Sequence, residues 1–249
     1  MSTGAVTLDK LKLGFNGVLA ADITFHVHPG EVVVFLGPSG CGKSTILRAL
    51  AGLLTPMSGD ATVDGAPVTG NAAQCAMVFQ EDALFPWHTA LKNVMYPIKL
   101  RGVRGKAVKS AAQARLDQVS LGSYGSHLPA QLSGGMRQRV QLARTLACEP
   151  KVMLMDEPFG ALDAQTRLEM QRLLMTVWEQ QRMTILFVTH DVDEALLLAD
   201  RIVLLSHRPA TVSDVITIDQ PRSPQAQFTD AYQRRRFEIL EFLGQSPAA

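Results

Sequence analysis

Short apolar runs punctuate this chain, and between them the apolar spacing shifts from strand-like to helical. Leu8 to Phe15 and Leu19 to Val27 read as strands joined through Asn16-Gly17, a dipeptide suited to a tight hairpin. Glu31 opens Val32-Val33-Val34-Phe35-Leu36, which is apolar without alternation, as in a strand buried on both faces. Ser44 to Ala51 follows with helical spacing, and Gly52 is its stop. Thr62 to Val68 reads as a strand and turn, and Ala76 to Phe79 as another short strand. From Glu81 onward the texture changes: Val94 to Leu100, Lys106 to Val119 and Met136 to Ala147 repeat apolar residues at helical spacing. Buried-strand texture returns at Val152 to Asp156, Thr184 to Thr189 and Ile202 to Ser206, with helices at Ala164 to Gln181 and Asp193 to Ala199. A terminal helix is expected over Phe228 to Leu243, with Tyr232, Phe237, Leu240 and Leu243 apolar.

Strands alternating with helices imply an α/β fold with a mostly parallel core sheet. The N-terminal hairpin points to an antiparallel β subdomain, and the helical stretch to a subdomain inserted into the core. The expected organisation is one domain over 1–249. About 1–80 and 150–215 form the core, about 81–149 the helical insert, and about 216–249 a C-terminal loop and helix.

A net charge of +1 gives no reason to expect nucleic acid, and two Trp with three Tyr offer little for stacking bases. Cys41, Cys75 and Cys148 are widely spaced, without a CxxC pair, which fits a reducing compartment and no metal cluster. The N-terminus lacks the regions of a signal peptide. The longest apolar runs are strand-length, far short of the ~20 residues that span a bilayer. Any membrane role therefore falls to a partner.

The chemistry concentrates in two glycine-rich segments. Gly37-Pro38-Ser39-Gly40-Cys41-Gly42-Lys43-Ser44-Thr45 lies between a strand and a helix, the context of a phosphate-cradling P-loop. Its glycines let backbone N–H groups approach phosphates at a positive helix end. Lys43 would reach the terminal phosphates and the Ser44 hydroxyl would ligate Mg2+. Cys41 is either a reactive thiol near a helix start or a small residue tolerated there. Asp156-Glu157 ends an apolar strand: Asp156 suits holding Mg2+ through water, Glu157 suits a general base on the attacking water. His190 and Gln80 each follow a strand, and each is either a satisfied polar group or a contact to the γ-phosphate and its metal. Ser133 can cap the helix that runs to Ala147, with Gly134 and Gly135 baring its first N–H groups.

Leu132-Ser133-Gly134-Gly135-Met136-Arg137-Gln138 resembles the signature motif of ABC transporter ATPase subunits. The other elements fall in that family's order: Gln80 as the Q-loop, Val152 to Glu157 as Walker B, Ala161-Leu162-Asp163 as the D-loop, His190 as the switch histidine. The resemblance covers about Leu8 to Ser206. It implies a P-loop NTPase fold, ATP and Mg2+ as ligands, and a head-to-tail homodimer. In that dimer Ser133, Gly134 and Gly135 of one copy close on the γ-phosphate held by Lys43 of the other. Asp163 would lie near the same nucleotide, and Gln80 would join Ser44 and Asp156 at the metal. Two positions depart from the pattern. Met136 stands where Gln is usual, and Phe15 stands where a Tyr stacks on adenine; Phe15 either stacks there or packs the hairpin.

The resemblance also implies integral membrane permease subunits, and Phe85 or Trp87 either lines the groove that receives them or packs the subdomain core. Glu81 to Trp87, Phe159 to Asp163, Leu205-Ser206 and Pro221-Arg222 together resemble the nitrate, sulfonate and taurine importer branch. That implies a solute-binding protein and a place at the cytoplasmic face of the inner membrane. Importers of thiamine precursors share much of this pattern. A soluble ABC ATPase of translation or repair typically carries tandem cassettes or coiled-coil inserts, and neither is present. A P-loop kinase would leave Ser133-Gly134-Gly135 without a job.

Overall fold

In chain order the elements are β1 (Val6–Phe15), β2 (Val18–Val27), β3 (Val32–Leu36), α1 (Lys43–Leu50), β4 (Ser58–Val63), β5 (Ala66–Pro67) and β6 (Cys75–Val78). Then come α2 (Ala90–Leu100), α3 (Lys106–Gln118), α4 (Gly134–Leu146), β7 (Val152–Asp156), α5 (Ala164–Gln181), β8 (Thr184–Val188), α6 (Val192–Leu198), β9 (Arg201–Leu205), β10 (Val212–Thr217) and α7 (Asp230–Phe242). This computed structural model describes residues 4–15, 17–70, 74–81, 83–219, 222 and 224–244. Its contacts divide the chain into two units, Met1–Ala72 with Met183–Ala249, and Ala73–Arg182. The second unit is wider than the helical stretch, taking in β6, β7 and α5 as well.

The first unit carries two kinds of sheet. β2, β1, β4 and β5 form the antiparallel one, in that order. Phe15 pairs with Val18 across the hairpin turn, where Gly17 has φ 80; Asn16 lies outside the described residues. β1 buries Val6 and Leu8, then Leu11 and Leu13. The alternation changes phase because β1 advances three residues from Leu8 to Leu11 while β2 advances two, with Lys10 at φ 46. This is a bulge, and it keeps both apolar pairs on one face.

In the core sheet of this unit β3 lies between β8 and β9, parallel to both, and β10 pairs antiparallel with β9. Every residue of β3 and β8 is buried, which accounts for their unbroken apolar sequences. β10 went unrecognised in the sequence because only Ile216 of its six residues is buried. Arg201 pairs with Glu31 and lies 4.8 Å from the Phe25 ring, bracing the base of this sheet.

The terminal helix corrects one expectation. α7 buries Tyr232 and Ile239, and Phe237 is 51% exposed. The Tyr232 hydroxyl donates to Asp193 at 2.9 Å, and Arg236 donates to the same carboxylate at 2.9 Å, so α6 sets the phase of the helix. Burial and the Asp193 charge push the Tyr232 phenol above its usual range.

In the second unit β6 and β7 are parallel, and α2 packs on α3 and α4. α2 starts at Ala90, four residues before the expected Val94, because Thr89 caps it by accepting from the Lys92 N–H. Buried Asn93 donates to the carbonyls of Phe85, His88 and Thr89 and accepts from the Phe85 N–H, fastening that loop to α2. Trp87 is 70% exposed and so lies outside the core, its ring centroid 5.8 Å from that of Phe85. No helix of the described residues is long and apolar enough to cross a membrane.

Candidate functional site

The loop 37–45 leaves β3 and enters α1 through positions that a side chain would block. Gly42 caps α1 at φ 121, and a Cβ there would stand 2.8 Å from the Ala20 carbonyl oxygen. At Gly37 a Cβ would meet the Leu205 backbone oxygen at 3.1 Å and Cys41 Sγ at 3.2 Å. Both glycines therefore reflect close approach rather than loose backbone. Cys41 is 2% exposed, so the small-residue reading of that position holds over the reactive one. Lys43 is 6% exposed, and its Nζ donates to the carbonyls of Gly37 at 2.8 Å and Pro38 at 3.0 Å. The loop thus holds its cation over its own mouth. α1 has no side-chain cap and no acidic residue in its first turn, so its positive end is left for an anion.

His190 emerges at the same edge as this loop. β3 and β8 run parallel with Phe35 opposite Val188, so the segments after Leu36 and after Val188 leave the sheet together. Such carboxyl ends are where open α/β sheets bind ligands. The backbone around exposed His190 is fixed from both sides. Buried Thr189 donates to Glu194 at 2.7 Å and accepts from the Asp191 N–H at 3.0 Å, while Asp191 caps α6.

The second unit assembles a different group of residues. β6 and β7 pair with Val78 opposite Met155, which brings Gln80 and Asp156 to one sheet edge. Asp156 is 9% exposed, and Glu157 follows at φ 45, a strained conformation for a side-chain-bearing residue. The Gly160 N–H donates to the Glu157 carbonyl at 3.2 Å, closing a turn. Gly160 is the pivot: Gln80 Nε2 and Glu157 Oε2 each lie 3.9 Å from where its Cβ would be. An amide and a carboxylate therefore converge on one bare surface. The sequence reading had not singled out Gly160.

Ser133 caps α4 by accepting from the Met136 N–H at 3.3 Å, so the helix begins at Gly134 rather than at Met136. The two glycines differ in purpose. Gly134 is exposed, with Arg137 Nη2 4.0 Å from its Cβ position as its nearest neighbour there. At Gly135 a Cβ would stand 2.4 Å from Thr166 Cγ2, so this glycine allows α4 and α5 to touch. Thr166 is held in turn: its Oγ1 donates to Asp163 at 2.6 Å and its N–H at 3.0 Å, making Asp163 the cap of α5. The hydrogen bond from the Thr166 side chain is the main cause holding the Asp163 carboxyl below its usual range. Gly135→Ala is expected to cost about 1–3 kcal/mol of stability by overpacking. Adding Thr166→Ser, which removes Cγ2 and keeps Oγ1, is expected to recover most of it. Thermal unfolding of both variants checks this, and an unshifted Gly135→Ala would refute it.

The Phe15 side chain lies outside what the structure describes. Cys75 and Cys148 are free thiols raised by burial, Cys75 to about 12, so both stay neutral.

Comparison with known proteins shows the family. Residues 20–160 match the ABC transporter family. The nitrate import ATP-binding protein NrtD of Synechocystis sp. is 46% identical over 231 residues, 92% of this chain and 87% of that protein. The taurine import ATP-binding protein TauB of Yersinia pestis is 44% identical over 198 residues, 80% of this chain and 78% of TauB. A solved dimeric ATP-binding cassette, in a post-hydrolysis state bound to ADP and Pi, has a TM-score of 0.76 at 29% identity. It covers 86% of this chain and 99% of its own. The family match and these relatives make the chain an ATPase, a member of the ABC transporter family.

Proposed function

We propose that this chain hydrolyses ATP to drive import of a small solute of the nitrate, sulfonate or taurine kind through a membrane permease. It works as a head-to-tail homodimer at the cytoplasmic face of the inner membrane. A solute-binding protein delivers cargo on the far side. The reading is carried by the convergence of Gln80 and Glu157 on Gly160, which gives a polarising carboxylate and a sensing amide a common surface. The names of NrtD and TauB support the cargo class, and the dimeric cassette supports the assembly.

In this reading the backbone of Gly37 to Thr45 cradles the phosphates, and Lys43 exchanges its loop carbonyls for phosphate oxygens. Glu157 accepts a proton from the attacking water. His190 contacts the γ-phosphate from the edge it shares with the loop. Ser133 and Gly134 present the start of α4 to the nucleotide of the other copy, and Asp163 and Gly135 hold that helix start in place. Phe15 stacks on adenine. The Ser44 hydroxyl, the Asp156 carboxylate and the Gln80 amide oxygen are hard oxygen donors of the kind that Mg2+ takes. Mg2+ held by such donors would neutralise charge on the transferring phosphoryl group.

Trp87 is proposed to face the permease. It adjoins Phe85, whose ring centroid lies 5.0 Å from that of Tyr96 on α2. Tyr96, Leu91 and Met95 line an open cavity of about 520 Å3 with Lys92 and Lys99 beside them. The test is co-purification with an integral membrane protein, followed by ATPase assays in liposomes with solute-loaded binding protein. Trp87→Ala is expected to weaken permease binding about 30-fold, as loss of a central aromatic anchor does. Unchanged permease affinity would move the docking surface elsewhere, and failure to co-purify any membrane protein would remove the transport reading.

A further inference from the structure

Gln141 is polar, on the third turn of α4, and only 1% exposed. Its Nε2 donates to the Phe79 carbonyl at 3.2 Å and to the Glu81 carbonyl at 3.1 Å. These are the carbonyls of the two residues that flank Gln80. Its Oε1 is buried with no hydrogen-bond partner. The orientation is therefore set by the donor end, since a reversed amide would aim its oxygen at two carbonyl oxygens. A buried amide with an orphaned oxygen is costly to keep, and only its two N–H bonds offset that cost. One turn further, Arg144 donates to the Ala83 carbonyl at 2.8 Å and stands 5.8 Å from the Phe85 ring centroid. The same helix begins at the Ser133 cap and touches α5 through Gly135.

We infer that Gln141 is a positioning residue for Gln80, bridging the two carbonyls that flank it and tying that segment to the helix of Ser133. The Gln80 amide then holds its place beside Glu157, and a displacement of α4 carries Gln80 with it. This rests on the role assigned to Gln80 above. Arg144 is the second point of the tether, and it fixes the segment further on, toward Phe85.

The decisive experiment compares Gln141→Met, which keeps length and removes the donors, in the full-length parent and in a Gln80→Ala background. In the parent the substitution is expected to lower kcat about fivefold, the worth of one net hydrogen bond, with the KM for ATP changed less than about twofold. In the Gln80→Ala background it is expected to change kcat by less than about 1.5-fold, because the residue it serves is gone. Hydrogen exchange across 79–85 is expected to rise about fivefold while β7 is unchanged. Equal losses in both backgrounds, or unaltered exchange across 79–85, would overturn the inference. If Gln80→Ala itself turns over at the parent rate, the role of Gln80 falls, and the exchange measurement alone still decides the tether.

Discussion

Glu157→Gln is expected to bind ATP with the parent's affinity, hydrolyse it at least about 100-fold more slowly, and accumulate as a closed dimer. The substitution changes one atom group and little else. Gln matches the length of Glu, so the turn closed by Gly160 survives, as does the approach to Gln80 over that glycine. What disappears is the proposed ability to take a proton from water. The loop 37–45 keeps every one of its residues, so its proposed hold on the phosphates is kept. In the proposed cycle bound ATP drives closure and its hydrolysis reverses it, so blocking only the second step shifts the population to the closed form. Phosphate release measures the first effect, and size-exclusion chromatography with ATP the second, as a species of twice the monomer mass. Hydrolysis at the parent rate would show that another group activates the water.

Ser133→Arg is expected to abolish turnover while an isolated subunit still binds ATP within about twofold of the parent, since its own phosphate loop is intact. Two effects act on the second helix start. The cap on the Met136 N–H is lost, at about 1 kcal/mol. A cation is also placed at the positive end of α4, in the space left open above Gly134. The sharper result comes from mixing. Lys43→Ala spoils the phosphate loop and spares the α4 start, and Ser133→Arg does the reverse. A mixed dimer then holds one site in which both walls are sound. With random exchange and independent sites the mixture should recover about a quarter of the parent rate from two inactive proteins, as two-fold symmetry requires. No recovery on mixing, or loss of ATP binding by the Ser133→Arg subunit, would mean that both walls belong to one chain.

Much of the fold was legible because burial and the local pattern coincide. The loop 37–45 declares itself through a buried strand, glycines and a helix in sequence, and the structure supplies the reason in the backbone oxygens of Ala20 and Leu205. Glu157 was visible as the polar end of an apolar strand. What escaped was set by contacts between distant residues. Gly134 and Gly135 look alike in sequence, yet a Cβ at Gly134 would meet Arg137 Nη2 at 4.0 Å and one at Gly135 would meet Thr166 Cγ2 at 2.4 Å. Gln141 carries no sequence signal of its contacts, because its acceptors are main-chain carbonyls about 60 residues away, which hydrophobic spacing does not reveal. Ile239 replaced Phe237 on the buried face since the phase of α7 depends on Asp193 of another helix. Thr89 as a cap was missed for a simpler reason: the apolar repeat begins after the first turn, whereas the helix begins at its cap.

The contact between Gly135 and Thr166 also restricts the routes by which this chain can change over generations. With Thr at 166, any side chain at 135 collides with its methyl group. A lineage that first replaces Thr166 by serine keeps the bond to Asp163 and opens the space, so the clash no longer bars a side chain at 135. The opposite order passes through a destabilised protein. Chains with a larger residue at 135 should therefore descend from ancestors that had already lost the methyl at 166, and the order of the two changes is a record that the packing itself imposes.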